Sequence, residues 1–140
     1  MKKFFKFLIY LLPWFLSGIL FKVDKVFYNS INKPFFAPPP IVFAIVWPIL
    51  YILIAYSLYK NKIKNICYYK SLIINYFSNQ IYTFLFFTIK SPFIAFVDTV
   101  IVFISSLFLY NEIKKKTLIP YIIWNLFATI LSFSIYILNI

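Results

Sequence analysis

Residues 32–51 read NKPFFAPPPIVFAIVWPILY, and this stretch decides the fold. A Lys-Pro step at Lys33 and Pro34 leads to three successive prolines, Pro38, Pro39 and Pro40, and then to an uninterrupted apolar run that carries Trp47. Each proline fixes φ and donates no hydrogen bond, so the part before Ile41 is expected to be a stiff extended loop, with a helix starting at or just after Pro40. Pro48, inside that helix, removes the bond to the carbonyl of Ala44 and predicts a kink beside Trp47. A rigid loop thus feeds straight into a membrane helix.

Composition agrees. Of 140 residues, 64% are hydrophobic and 12% charged, against about 45–50% and about 25% in soluble domains. All 14 basic residues are lysine and the acids are Asp24, Asp98 and Glu112, giving a net charge of +11. The lysines cluster between apolar runs, where they would sit at lipid headgroups, so the basic excess points to the bilayer and not to nucleic acid. One cysteine, Cys67, permits no intramolecular disulfide. The chain has no histidine, which excludes His-ligated metal and His-based acid–base chemistry; no metal site is expected.

The chain opens MKKFFKFLIYLLPWFLSGILF. Lysines before an apolar run resemble a signal peptide, with Ser17-Gly18 as a weak cleavage region, but four further apolar runs follow and the first serves equally as a span. A first helix is expected over residues 4–21, kinked at Pro13. Residues 22–40 are too polar to span, and their aromatic residues Phe27, Tyr28, Phe35 and Phe36 favour a packed lid loop. Further helices are expected over 41–59, 66–87, 92–110 and 118–138.

On the third of these, Asn75 and Asn79 are four apart and share a face, with Tyr82 three further on. An amide without a partner in hydrocarbon costs several kcal/mol, so this face looks inward. Two readings stand open, an interhelical clamp or a polar wall of a cavity. Asp98, about two turns into the fourth helix, is either a functional carboxyl or a neutral structural one. On the fifth, Trp124, Ala128 and Ser132 follow at steps of four. The expected architecture is an all-α integral membrane protein, one domain over residues 1–140 built as a bundle of five transmembrane helices.

Alternating turns place ten lysines (Lys2, Lys3, Lys6, Lys60, Lys62, Lys64, Lys70, Lys114, Lys115 and Lys116) on one side and four (Lys22, Lys25, Lys33 and Lys90) on the other. The positive-inside rule then puts the N-terminus in the cytoplasm, and the lid loop and C-terminus on the opposite side.

The stretch KPFFAPPPIVFAIVWPILY resembles the signature of the TspO/translocator protein family, whose pattern is K-P-x-W-x-P-P, then V-F, V-W and L-Y. Two further stretches agree: NQIYTFLFF at Asn79–Phe87, with AFVD at Ala95–Asp98 downstream, and IPYIIWNLFATILS at Ile119–Ser132, similar to the family's P-Y-x-x-W-x-x-F-A-T block. The resemblance implies five helices around one pocket closed by the loop between the first two, binding porphyrins, cholesterol in animals and synthetic isoquinoline and benzodiazepine-type ligands. Carried over by motif, Trp47 and Trp124 would be the pocket's indoles, Asn75 and Asn79 its amides, Tyr28 and Pro38 lid contacts, and Ala128 the small residue opposite the ring. Indole and phenol faces that stack on a flat macrocycle suit that set. Lys33, at the mouth, would pair with a propionate or snorkel to the interface.

Departures from the pattern are informative. Phe36 and Tyr82 stand where the family has tryptophan, and no basic residue follows Lys116, so the C-terminal cholesterol pattern of animal members is incomplete. Gly18 is the only glycine, so a homodimer of the kind the family implies would need contacts other than G-x-x-x-G. The functions implied are a receptor or sensor for tetrapyrroles, an enzyme degrading protoporphyrin in light through Trp47 and Trp124, or a transporter of small hydrophobic molecules. No acid–base pair or nucleophile is evident for conventional catalysis, and no cofactor is expected, porphyrin being ligand or substrate. The spans also lack the chain of ionisable groups expected of a proton-coupled transporter.

Overall fold

The computed structural model describes all 140 residues, and they form helices with no strand. Helix α1 (Lys2–Leu20) consists of two α-helical pieces, Lys2–Leu11 and Leu16–Leu20, joined by a 3₁₀ turn at Leu12–Phe15. Pro13 cannot donate to the preceding turn, and the chain tightens there. Its carbonyl is doubly engaged, accepting from the Leu16 N–H and from the Tyr76 hydroxyl at 2.7 Å.

The lid is partly helical. Helix α2 (Lys25–Ser30) is capped by Asp24, whose carboxylate accepts from the Phe27 N–H at 2.9 Å. That bond, and then the Lys90 ammonium 3.3 Å away, hold the Asp24 carboxyl below its ordinary pKa. The loop expected over 22–40 therefore contains a turn and a half of helix, because Asp24 supplies the cap that its polar composition concealed. Lys33 Nζ donates to the carbonyls of Tyr28 and Ile31 at 2.6 and 3.1 Å, closing the end of α2. Asn32 and Asn139 exchange bonds of 3.0 and 2.8 Å, tying the lid to the far end of the chain.

Helix α3 (Pro40–Lys60) starts with Pro40 at its first position, after an extended Pro39, where proline fits because the missing N–H would be unpaired anyway. The helix runs through Pro48 without interruption. Helix α4 (Ile66–Thr83) is capped by Asn65 accepting from Tyr68 N–H, and then widens into a π turn at Phe84–Thr88. The sequence predicted plain helix to residue 87; the wider turn reorients Phe86 and Phe87. Helix α5 (Pro92–Ile113) runs three residues past the expected end at 110, since Asn111, Glu112 and Ile113 continue it until Lys114 turns left-handed at φ 54°. After a 3₁₀ turn at Lys116–Leu118, helix α6 (Ile119–Leu138) completes the bundle.

Four helical stretches are long and apolar enough to cross a membrane: Lys2–Leu20, Pro40–Lys60, Pro92–Ile113 and Lys116–Leu138. Helix α4 is more polar, and its polar residues Asn75, Asn79 and Gln80 are buried against its neighbours. The protein is a multi-pass integral membrane protein. Its two ends are well separated: Lys64–Tyr10, Asn65–Glu112 and Ser57–Thr117 contacts gather the N-terminus and the lysine-rich turns at one end, while Asp24–Lys90 and Asn32–Asn139 gather the lid and C-terminus at the other.

Two positions, Lys90 and Lys114, adopt the left-handed conformation without being glycine, at a cost of ~1 kcal/mol each. Lys114 occupies the helix-terminating position that glycine usually takes. Lys114→Gly is expected to raise stability by up to about 0.5 kcal/mol, after the extra chain entropy of glycine is subtracted. Thermal unfolding in detergent would register this as a higher midpoint; an unchanged or lower one would refute it.

Candidate functional site

Under the lid lies a cavity of about 570 Å³, within the range of small-molecule sites. Each element that borders it does so for a local reason. The Pro13 turn and Ser17 bring the second half of α1 against α4, where the Ser17 N–H donates to Gln80 Oε1 at 2.9 Å. The π turn at the end of α4 presents Phe86 and Phe87 to the cavity, with Phe86 stacked on Tyr82 at 5.8 Å. Pro40 sets the start of α3 so that Phe43, Ala44 and Trp47 line one wall.

The two indoles meet here. Trp47 and Trp124 lie edge to face, centroids 6.4 Å apart and planes at 89°, a geometry favoured by the ring quadrupole. Trp47 continues to Tyr51 at 5.5 Å, and Tyr51 to Trp14 at 6.0 Å. Phe43 and Phe127 flank Trp124 at 5.9 and 5.3 Å. Two rigid perpendicular rings thus form a corner of the cavity, and Ala128, one turn beyond Trp124, leaves room beside it.

Of the residues predicted from sequence, Tyr28, Trp47, Asn79, Trp124 and Ala128 line the cavity. Pro38 does not; its carbonyl accepts from the Tyr28 hydroxyl at 3.2 Å and so positions that ring. Asn75 also lies outside. It is fully buried, donates to Val102 O and Ser105 Oγ at 3.1 and 3.0 Å, and accepts from the Tyr121 hydroxyl at 2.9 Å. Here the clamp reading prevails for Asn75, because the inward face of α4 spans both the cavity and the packed layer below it.

Asn79 belongs to both. Its Nδ2 donates to Tyr121 at 3.1 Å and its Oδ1 accepts from Gln80 at 3.2 Å, while Gln80 also donates to the Trp14 carbonyl at 3.2 Å. Helices α1, α4, α5 and α6 are joined by this one network of amides and a phenol. Asp98 is a second link, accepting from Ser78 Oγ at 2.6 Å with its other oxygen unpartnered, away from the cavity. Lys33 caps α2, and the lysine that borders the cavity is Lys25.

Sequence reading missed Asn125, Lys25 and Trp14. Asn125 lines the cavity at 2% exposure, and its Nδ2, like the Nε1 of Trp124, has no hydrogen-bond partner. An amide inside an apolar span was the signal used for Asn75 and Asn79, and it applied equally to Asn125. Trp14, beside Pro13, anchors the packed layer with Tyr76 at 5.1 Å and Tyr121 at 6.5 Å.

Residues 7–138 match the TspO/MBR family. The chain is 34% identical to the tryptophan-rich protein TspO of Bacillus cereus, with 90% of this chain and 89% of that protein covered. It is likewise 34% identical to the uncharacterized membrane protein YtaB of Bacillus subtilis, covering 89% and 87%. With the tryptophan-rich protein TspO of Archaeoglobus fulgidus the identity is 33%, covering 88% of each. The chain belongs to the TspO/MBR family.

Proposed function

We propose that this protein is a membrane receptor or sensor-like protein that takes a porphyrin, or a flat hydrophobic molecule of similar size, into the cavity beneath the lid. The observation that carries this reading is the perpendicular Trp47–Trp124 pair in the corner of a 570 Å³ cavity. A planar macrocycle stacks on one indole while meeting the edge of the other. The unpartnered Trp124 Nε1 and Asn125 Nδ2 favour a ligand that brings acceptors, since a buried donor left unmade costs about 1–3 kcal/mol. Lys25 at the border suits an anionic substituent such as a propionate. In this reading α4 crosses the bilayer as the fifth span, shielded by its neighbours, and the lysine-rich end faces the cytoplasm.

Titrating the detergent-purified protein with protoporphyrin in the dark, followed by tryptophan quenching, tests the site. Saturable binding is expected, weakened about ten-fold, or ~1.4 kcal/mol, in Trp47→Phe and in Trp124→Phe. Binding that never saturates, or that both variants leave unchanged, would sink it. Illuminating the complex then asks whether the indoles also donate electrons to the excited ring: loss of the Soret band that needs either tryptophan would add enzymatic turnover to binding. Uptake into proteoliposomes would instead support transport.

Asn125→Leu separates the ligand role of this amide from a structural one. Removing an unpartnered buried amide in favour of an apolar side chain of similar shape is expected to leave stability unchanged or higher by up to ~1 kcal/mol. Protoporphyrin affinity is expected to fall by about three- to ten-fold. A destabilised variant that binds normally would show that the amide serves the fold.

A further inference from the structure

Separate from the cavity, α1 and α4 leave a hollow of about 240 Å³ between them. One wall carries Ile9 and Pro13, the other Ile73 and Phe77, and Trp14 forms part of the floor. The walls are pinned at two points and stay apart between them. Tyr76 donates to the Pro13 carbonyl at 2.7 Å, and Lys64 donates to the Tyr10 hydroxyl at 2.8 Å. Both bordering phenols are thereby satisfied, and what remains is an apolar trough whose rims, Ile9, Ile73 and Phe77, are more than half exposed.

The charge at one end of this trough is unusual. Lys6 precedes Ile9 by three residues and Pro13 by seven, so it continues the α1 wall; Lys70 precedes Ile73 and Phe77 by the same steps and continues the α4 wall. Lys64 joins them through Tyr10. Three lysines therefore stand at the lysine-rich end of two apolar walls. None of the three forms an ion pair: the salt bridge of the chain is Lys90–Asp24 at the opposite end, Asp98 accepts from Ser78, and Glu112, at the same end as the lysines, is held by Asn65. An apolar trough about 7.5 Å long, or roughly one and a half helical turns, ending beside three lysines at headgroup level, calls for an apolar chain attached to an anion.

We propose that this trough is a site for an anionic phospholipid, with one acyl chain lying against Trp14 between α1 and α4 and the phosphate among Lys6, Lys64 and Lys70. The lipid would fill the gap left between the first half of α1 and α4, and would fasten the first helix to the bundle at the end remote from the lid.

Brominated phospholipids test this directly, because Trp14 becomes the sole tryptophan in a Trp47→Phe/Trp124→Phe background. Phosphatidylglycerol brominated on its acyl chains is expected to quench Trp14 at about ten-fold lower mole fraction than phosphatidylcholine with the same chains. Lys6→Gln/Lys64→Gln/Lys70→Gln should remove that preference, and Lys114→Gln/Lys115→Gln/Lys116→Gln, of equal net charge, should keep it. Equal quenching by the two lipids would overturn the proposal. So would equal loss in both lysine variants, which would reduce the effect to the general surface potential. Native mass spectrometry of the unaltered protein supplies an independent measurement: phosphatidylglycerol retained in preference to phosphatidylcholine, and lost in the Lys6/Lys64/Lys70 variant, supports the site. A dimer that carries no lipid and shields Trp14 from both would assign the trough to a second copy instead.

Discussion

Ala128→Trp is expected to reduce protoporphyrin binding by about 100-fold or more, ~3 kcal/mol, while leaving the bundle folded. Ala128 lines the cavity one turn after Trp124, so a new indole at 128 projects into the same space and stacks beside Trp124. Large side chains forced into a packed core usually cost about 1–3 kcal/mol. Here the added ring enters an existing cavity of about 570 Å³, and its contacts with Phe127 and Trp47 neighbours offset that cost. The informative result is the pair of measurements: a thermal midpoint in detergent at or above that of the unaltered protein, together with lost tryptophan quenching by protoporphyrin. Retained binding in a well-folded variant would place the ligand elsewhere.

Asn75→Leu is expected to do the reverse, lowering stability by about 2–3 kcal/mol with little change in affinity. The side chain joins α4 to α5 and α6 through three bonds and touches no part of the cavity. A single interhelical bond in a membrane protein is worth only about 0.6 kcal/mol on average. The larger figure expected here arises because the Tyr121 hydroxyl, fully buried, is left without its acceptor. Unfolding of Asn75→Leu, Tyr121→Phe and the double variant should therefore be non-additive by about 1 kcal/mol. A variant as stable as the parent, or one whose protoporphyrin affinity falls as far as that of Trp124→Phe, would return Asn75 to the ligand site.

Much of the site was readable because the bilayer penalises polarity. Asn75 and Asn79 stood out as amides in an apolar span, and that reasoning correctly turned them inward. Spacing alone left open what they meet, because the clamp and the cavity wall occupy the same helical face one turn apart. Asn125 carried the same signal yet was hidden beside Trp124, whose motif drew attention to the ring. Lys33 and Lys25 show a related limit. Both are lysines of the lid, and which one borders the cavity depends on α2, a short helix capped by Asp24 within a stretch whose charge and prolines suggested only loop.

By itself the sequence determined that this is an all-helical membrane protein, since long apolar runs between lysine clusters satisfy their backbone groups in lipid by forming helices; the family was legible separately, in the three motif stretches at 33–51, 79–98 and 119–132. It also determined that Pro40 and Pro92 would start helices and that Pro13 would disturb the first, because those constraints are local, whereas the helix expected to kink at Pro48 continues through it. Tertiary structure alone decided that Asn75 clamps while Asn79 reaches the cavity, that Pro38 acts through Tyr28, and that the end of α4 opens into a π turn beneath the lid. Those outcomes depend on which partner each group meets across the bundle, and helical periodicity specifies a direction without specifying what lies there.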